Sequence, residues 1–179
     1  MPIVITISGS HGTGKSTYAK LLADHFSLRH ISAGQLFREI AEAKGLSLEA
    51  LTEVASKDPE IDRLIDARTK EEAEKGNVVI DGQLAGWMAG DKADLKIYLT
   101  APERTRVKRI AERDAVTFKE AEGQTLARER MEKERFERYY GMNLEDISIY
   151  DLVVDTALLP MEDTAKTLKA IVQDLVERS

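Results

Sequence analysis

Four residues near the start of the chain, Gly9, Gly14, Lys15 and Ser16, have types and a spacing suited to binding phosphate groups. They fill the fixed positions of the pattern G-x-x-x-x-G-K-[ST], between a predicted strand and a predicted helix. Glycines let successive N–H groups turn toward an anion beside the positive end of the helix. Lys15 then reaches the β- and γ-phosphates of a nucleotide, and Ser16 holds Mg²⁺. The alternative is an ordinary glycine-rich turn that caps a helix.

Phosphoryl transfer also needs a carboxylate near the metal. Asp81 is a candidate because it follows a buried run, Asn77 to Ile80, and ligands of open α/β sheets bind at the C-terminal ends of strands. Ser16 and Asp81 are therefore the predicted Mg²⁺ ligands, with a cap or turn role as the alternative for Asp81. The nucleotide-binding residues predicted from the phosphate loop and its flank are Gly9, Ser10, His11, Gly12, Thr13, Gly14, Lys15, Ser16 and Thr17.

Residues 101–140 supply the cations that would surround the transferring oxygens. This segment has 11 Lys and Arg against 9 Asp and Glu, in a chain whose net charge is −6. Arg109 and Arg113 are four residues apart and share one face of a helix. Taken alone, the segment also fits a solvated helix with i,i+4 ion pairs. The candidate cations are Arg106, Arg109, Arg113, Arg128, Lys133 and Arg135.

The elements that must position these groups alternate along the chain. Short apolar runs rich in β-branched residues alternate with segments of helical periodicity, which predicts a parallel sheet covered by helices. The fold class is therefore α/β with a five-stranded parallel sheet between helices, and Ser32 is expected to cap one helix. The predicted strands span 3–8, 30–31, 77–80, 95–99 and 150–155. The predicted helical segments include 15–26, 45–75 and 161–176.

Composition excludes several classes of protein. The chain has 179 residues, 42% of them hydrophobic, with no cysteine and three scattered histidines, so disulfides, thiolate catalysis and zinc-thiolate sites are excluded. We expect no signal peptide and no membrane span, because no apolar run approaches about 20 residues. The acidic total and the absence of an aromatic platform argue against nucleic-acid binding. The expected compartment is the cytoplasm.

Several runs of sequence resemble the nucleoside monophosphate kinases. They are the phosphate loop, residues 30–38 (HISAGQLFR) and residues 78–86 (VVIDGQLAG). Residues 128–136 and Tyr140-Gly141 resemble more narrowly the compact archaeal type of cytidylate kinase. The resemblance covers essentially the whole chain and implies a P-loop NTPase-type fold with the first strand at the centre of the sheet. It also implies MgATP-dependent transfer of the γ-phosphoryl group to CMP, and to dCMP.

Carried over by position, the resemblance assigns roles to further residues. Arg109 and Arg113 would lie at the base of a mobile lid, and Arg128 and Arg135 on its returning helix. The implied catalytic residues are Lys15, Arg109, Arg113, Arg128 and Arg135. The implied acceptor-side residues are Ser32, Gly34, Arg38, Asp81, Gly82 and Gln83. The implied organisation is a core of 1–33, 76–112 and 141–179, an acceptor-binding lobe of 34–75, and a lid with its returning helix at 113–140.

Two residues depart from the family's pattern. Gln83 stands where the family usually has Arg, and it can hydrogen-bond a phosphate or a base edge but supplies no charge. His11 stands in the phosphate loop where small residues or Pro are common, and we expect its side chain to face solvent. A general base is not required, since an acceptor phosphate oxygen is already anionic. Catalysis would rest on positioning and charge stabilisation.

The acceptor remains open between several small molecules. One alternative is a kinase for AMP, UMP or a non-nucleotide such as shikimate or a sugar acid. Another is a nucleotide-binding switch that engages a partner through its charged segment. The preference between CMP and dCMP and the side chains that read the base are open as well. The expected partners are small nucleotides, and the expected state is a monomer or a weak homodimer.

Overall fold

A parallel sheet forms the centre of the protein, whose computed structural model describes residues 2–178. The strands lie in the order β2-β3-β1-β4-β5, and every neighbouring pair is parallel. The predicted fold class and the central position of β1 are confirmed. The strands are β1 Val4–Gly9, β2 Arg29–Ser32, β3 Val78–Asp81, β4 Leu95–Thr100 and β5 Leu152–Asp155.

Eight α-helices connect and cover these strands in the part of the chain that the structure describes. The first begins at Lys15, as predicted, and Ser32 caps the second by accepting a hydrogen bond from the Gln35 amide. The helices are α1 Lys15–Phe26, α2 Ala33–Ala43, α3 Leu48–Lys57, α4 Glu60–Lys75, α5 Ala85–Ala89, α6 Glu103–Asp114, α7 Phe118–Tyr140 and α8 Met161–Arg178.

The core lies on both faces of the sheet. Side chains alternate along β1, so Ile5 and Ile7 pack against α1 and α8, while Val4 faces α4 and α5. Strands buried on both faces read as continuous apolar runs, which is why periodicity identified them as parallel strands. The rigid centre of the sheet therefore fixes the ends of β1 and β3, where the predicted phosphate and metal ligands lie.

A second, smaller core joins α2, α3 and α4 in residues 34–75, called the helical lobe below. Phe37, Leu51 and Ile61 are buried at its centre. The C-terminal part of α7 packs on this lobe, where Tyr139 Oη donates to the carbonyl oxygen of Ala55 at 3.1 Å. Along residues 2–178, no helix combines the length and apolar character needed to cross a membrane.

Candidate active site

The phosphate loop connects the end of β1 to the first turn of α1. Its glycines Gly9, Gly12 and Gly14 have φ angles of 143°, 78° and 93°, which side chains disfavour. A Cβ at Gly9 would lie 2.2 Å from the carbonyl oxygen of Leu99, and one at Gly12 would lie 2.6 Å from that of Arg106. Glycine is required at both positions, and the loop forms a cradle of backbone that suits an anion.

The side chains of the loop and its flank occupy different environments. Thr13 is buried, and its Oγ1 donates to the carbonyl oxygen of Ser10 at 2.9 Å. Thr17 is exposed in the first turn of α1. Thr13 therefore stabilises the loop from inside, whereas Thr17 has its side chain open to a ligand.

Lys15 lies across the loop, with its Nζ donating to the carbonyl oxygen of Ser10 at 2.9 Å. Burial lowers the pKa of Lys15 to about 8. Three nearby carboxylates oppose this shift by raising the pKa, and they belong to Asp81, Glu132 and Glu129. Three carboxylates thus act on one ammonium group. The loop carries a positive charge that its surroundings partly balance before any phosphate arrives.

Asp81 ends β3 beside this loop and is 2% exposed. Its Oδ1 accepts hydrogen bonds from the hydroxyls of Ser16 at 2.9 Å and Ser32 at 3.1 Å. Its Oδ2 lies 2.7 Å from His30 Nε2. His30 is not among the predicted site residues. The available signal was its spacing two residues before Ser32 on one strand, which puts both side chains on the same face.

Ser16 and Asp81 supply the hard oxygen atoms that Mg²⁺ prefers. Their direct contact puts a hydroxyl and a carboxylate at one point beside the loop. Within residues 2–178, no group of three or more His, Cys, Asp and Glu side chains is arranged to hold a metal ion. Mg²⁺ is usually bound by one or two carboxylates together with substrate phosphates, so this donor set fits Mg²⁺ better than a resident all-protein metal site.

Arg106 and Glu129 hold the backbone of the loop against α6 and α7. Arg106 Nη1 donates to the carbonyl oxygen of His11 at 2.8 Å and to Glu129 Oε1 at 2.6 Å. The same Glu129 oxygen accepts from the His11 amide at 3.1 Å. Arg106 is one of the six candidate cations and has no specific role predicted, and Glu129 belongs to the 128–136 run of the resemblance without a predicted contact. Their pairing depends on the packing of two helices, which local patterns do not encode.

Glu132 on α7 contacts three side chains, one of them from the phosphate loop. Its Oε2 lies 2.6 Å from His11 Nε2 and accepts from Gln83 Nε2, while its Oε1 accepts from Arg128 Nε at 2.8 Å. Glu132 is 3% exposed. Burial alone would raise its pKa, but His11, Arg128 and Arg135 hold the pKa of Glu132 well below its usual range. The expectation that His11 faces solvent is wrong, because its ring contacts this buried carboxylate.

Two predicted cations on α6 have separate surroundings. Arg109 donates to the hydroxyl and carbonyl oxygens of Thr156 at 2.9 and 2.8 Å, and contacts the Gly12 carbonyl oxygen at 3.4 Å. Arg113 pairs with its neighbour Asp114 through two hydrogen bonds of 2.7 Å. Arg109 therefore supports the underside of the phosphate loop, whereas Arg113 is 66% exposed.

Arg38 on α2 and Arg135 on α7 also differ in burial. Arg135 is 2% exposed, and its Nε lies 2.8 Å from Asp62 Oδ2 in the helical lobe. Arg38 donates to Gln35 Oε1 at 3.0 Å. Partial burial and the positive charges of Arg113 and Arg128 lower the pKa of Arg38. The positive charges of Arg113 and Arg128 thus act on Arg38, whereas Arg135 is buried in an ion pair with Asp62.

A cavity of about 350 Å³ opens between the phosphate loop and α2. It contains two predicted acceptor-side residues, Ser32 and Arg38. Gly34 is next to it, where an added Cβ would lie 3.7 Å from Arg38 Nη1, and Gly82 packs closely on α2, since a Cβ there would lie 2.7 Å from Ala33 Cβ. The lining residues are Ser16, His30, Ile31, Ser32, Gln35, Leu36, Arg38 and Glu39.

A phosphate loop on the central strand, with a carboxylate at the end of the neighbouring strand, is the arrangement of the P-loop nucleotide-binding proteins. The family model described as "AAA domain" matches residues 8–148, and the chain belongs to this family. A shikimate kinase from Bacteroides thetaiotaomicron has a similar fold, with a TM-score of 0.63 at 17% identity over 99% of both chains. A gluconokinase from Sinorhizobium meliloti matches 99% of this chain and 95% of its own, with a TM-score of 0.63 at 15% identity.

More similar sequences narrow the class. A cytidylate kinase from Staphylothermus marinus is 49% identical over 98% of this chain and 99% of its own length. A cytidylate kinase from Methanopyrus kandleri is 41% identical over 98% of this chain and 96% of its own. The chain belongs to the archaeal cytidylate kinase family, and the resemblance read from its motifs is confirmed.

Proposed function

We propose that this protein transfers the γ-phosphoryl group of MgATP to CMP, and to dCMP, giving the diphosphate and ADP. The observation that carries the proposal is the position of Ser16. This residue belongs both to the phosphate loop and to the wall of the cavity that Arg38 lines. A donor on the loop and an acceptor in the cavity would therefore meet at the Ser16–Asp81 edge. The relatives' identity as cytidylate kinases supports CMP as the acceptor.

The phosphate loop would hold the donor. Its backbone amides and the positive end of α1 would face the β- and γ-phosphates of ATP. Lys15 Nζ, which donates to the Ser10 carbonyl oxygen, would donate to phosphate oxygens instead. The ammonium group would then have a negatively charged partner in place of a neutral one. Ser16 and Asp81 would hold Mg²⁺, directly or through water. When bound, this ion neutralises charge that develops on the bridging phosphate oxygens.

The acceptor would lie in the cavity between the loop and α2, with its phosphate toward Arg38. An anionic oxygen of that phosphate attacks the γ-phosphorus while the bond to the β–γ bridging oxygen breaks, so no side chain has to remove a proton. The phosphates of the donor and of the acceptor repel each other when they are close enough to react. The arginines at positions 38, 113 and 128 would offset that repulsion. Arg109 would act by supporting the loop, given its contacts with Thr156 and Gly12.

Arg135 would contribute to binding the acceptor rather than to the transferring phosphate. Its partner Asp62 belongs to the helical lobe, so the ion pair ties α7 to the acceptor side. We propose the same division of the chain that the resemblance implies. The sheet and its covering helices form the core, the helical lobe binds the acceptor, and residues 113–140 form a lid with its returning helix. The turn at 115–117, where Ala115 has φ 55°, is the proposed hinge.

The test is release of ADP by the purified full chain with MgATP and one acceptor at a time, namely CMP, dCMP, UMP, AMP, GMP or shikimate. We expect strong stimulation by CMP and dCMP. Lys15→Ala should lower turnover by about 10³ or more, because it removes a charge that acts in the transition state. Lys20→Ala is the matched control, since Lys20 is exposed on the same helix.

Stimulation by shikimate or AMP alone would replace the proposed acceptor with another small-molecule kinase substrate. ATP binding with no stimulation by any acceptor would contradict kinase function on this set and favour a nucleotide-dependent switch. Near-normal turnover of Lys15→Ala would contradict the assigned role of the phosphate loop.

A further inference from the structure

The two oxygens of the buried Glu132 carboxylate have different partners. Oε1 accepts from Arg128 Nε at 2.8 Å, whereas Oε2 faces two nitrogens, His11 Nε2 and Gln83 Nε2. These nitrogens come from the phosphate loop and from the turn after β3. Glu132 is therefore the point where three segments of the active site meet. Neither nitrogen is used in the transfer chemistry described above.

The contact with Glu132 requires a proton on Nε2 of the His11 ring. An unprotonated Nε2 would direct a lone pair at a carboxylate oxygen 2.6 Å away, which is repulsive. With Nε2 protonated, the ring and the Gln83 amide both donate to the same oxygen. The two nitrogens themselves lie 2.8 Å apart. Reversing the Gln83 amide would bring its oxygen against Glu132, so the amide donates as well.

The His11 side chain is not needed to hold the phosphate loop in place. The backbone of His11 is already fixed by Arg106 and Glu129, which bind its carbonyl oxygen and its amide. Removal of the ring leaves both contacts intact. The effect of the ring is therefore directed at Glu132, and the loop serves as its rigid support.

Arg128 is the group that Glu132 in turn controls. Its guanidinium Cζ lies 5.5 Å from the centre of the Phe37 ring on α2, so the side chain is held between α7 and the helical lobe, near Arg38. Arg128 has one carboxylate partner there, Glu132 Oε1. A shift of that carboxylate would move the guanidinium away from the proposed path of the phosphoryl group.

We propose that His11 and Gln83 are positioning residues for Arg128, acting through Glu132. This inference rests on the proposed phosphoryl transfer. While Oε1 holds Arg128, Oε2 has two donors of its own, so the carboxylate keeps the orientation that places the guanidinium. Without them, Oε2 would be left unpaired and the carboxylate would be free to turn, taking Arg128 with it. The two residues that depart from the family's pattern thus act on one carboxylate.

Steady-state kinetics on five variants tests the chain of contacts. His11→Ala should lower kcat about tenfold, below the roughly hundredfold that an ångström-scale misplacement can cost, with a smaller change in KM for ATP. In the Arg128→Ala background, the same substitution should change kcat less than about twofold, because its route of action is gone. His11→Gln keeps a long side chain with an N–H donor and should recover most of the loss. His25→Ala, an exposed histidine on α1, is the matched control.

Two kinetic results would overturn the proposal. One is a His11→Ala enzyme with the kcat of His25→Ala. The other is an equal fold-loss from His11→Ala with and without Arg128, which would show that the ring acts independently of that arginine. A rise in KM for ATP with kcat unchanged would assign the ring to nucleotide binding instead and would also contradict it.

Nitrogen-15 NMR of the histidine rings tests the contact without any assay of activity. We expect the His11 ring to carry a proton on Nε2 at neutral pH, and Glu132→Gln to shift that resonance while His25 is unchanged. An unprotonated His11 Nε2 overturns the positioning role even if CMP is phosphorylated. The expected resonance in a protein that phosphorylates no acceptor would contradict the proposed function and leave the geometry standing.

Discussion

Two buried carboxylates flank the phosphate loop, and they are held in different ways. Asp81 lies at the rigid end of β3 and accepts from Ser16, Ser32 and His30. Glu132 lies on α7 and accepts from the guanidinium of Arg128 as well as from two donors on the core. Hydroxyl donors are exchanged easily for a cation, whereas a guanidinium contact fixes a permanent anion.

This difference suits Asp81 to bind a metal ion and Glu132 to position a neighbouring side chain. A carboxylate with hydroxyl partners at a sheet edge can take up a metal ion without leaving a buried charge unpaired. A carboxylate with a cationic partner on a helix keeps its charge at all times and serves to place that partner. On this interpretation, changes at Asp81 should affect chemistry with little effect on folding, and changes at Glu132 should affect both.

The largest expected effect is on turnover at the sheet edge. Asp81→Asn keeps the size of the side chain and removes its charge, so kcat should fall by about 10³ with the fold intact, as for other lost electrostatic contacts in transition states. The measurement is CMP-dependent ADP release over a range of Mg²⁺ concentrations, with circular dichroism as the test of folding. Asp24→Asn, on the exposed side of α1, is the control. Unchanged turnover of Asp81→Asn would erase the contrast between the two carboxylates.

Stability should respond most at the helix site. Glu132→Ala leaves Arg128 and the two donors on the core without their shared acceptor, so the free energy of unfolding should fall by about 3 kcal/mol. Urea unfolding measures it. Glu134→Ala is exposed on the same helix and should cost little. A loss at Glu132 no greater than at Glu134 would show that the buried carboxylate supports nothing.

Lowering the pH should narrow the difference in the free energy of unfolding between the wild type and Glu132→Gln. The folded protein keeps Glu132 ionised below the ordinary glutamate pKa of 4.5, so unfolding takes up a proton there and stability falls as the pH falls. Between pH 7 and about pH 3.5 the wild type should lose about 1 kcal/mol of its advantage. Unfolding curves of both proteins at the two pH values measure this. An advantage that does not change with pH would contradict an ionised, paired Glu132.

The smallest effect is expected where an ion pair is exposed. Arg113 pairs with Asp114 in solvent, so Arg113→Ala should change the free energy of unfolding by less than about 0.5 kcal/mol. The same urea experiment provides the value. A loss as large as that of Glu132→Ala would mean that exposure does not separate these sites energetically.

Local pattern was sufficient to predict much of this structure. The phosphate loop and Asp81 each lie directly after a continuous apolar strand, and such strands are recognised from a few consecutive residues. The start of α1 at Lys15 and the cap at Ser32 follow from short-range rules of the same kind. These features involve contacts that lie close along the chain or at the ends of neighbouring strands.

The partners of α7 could not be predicted in that way. Glu129, Glu132 and Arg135 lie three residues apart, yet they bind the loop, the core and the helical lobe respectively. Their directions are set by the rotation of one helix against three neighbours. His11 is a related case, since nothing local indicates that a loop histidine meets a carboxylate 121 residues away.

The length of α7 has a mechanical consequence. Its 23 residues make a rod of about 34 Å, and its final turns are bound to the helical lobe through Arg138 and Tyr139. Glu132 lies about two turns earlier in α7 and contacts the phosphate loop through His11. A rod fastened at both points transmits rotation, so the lobe cannot swing without turning the arginines of the same helix. Binding of one nucleotide would then be coupled to binding of the other through α7. By reciprocity, each nucleotide should raise the affinity for the other by the same factor.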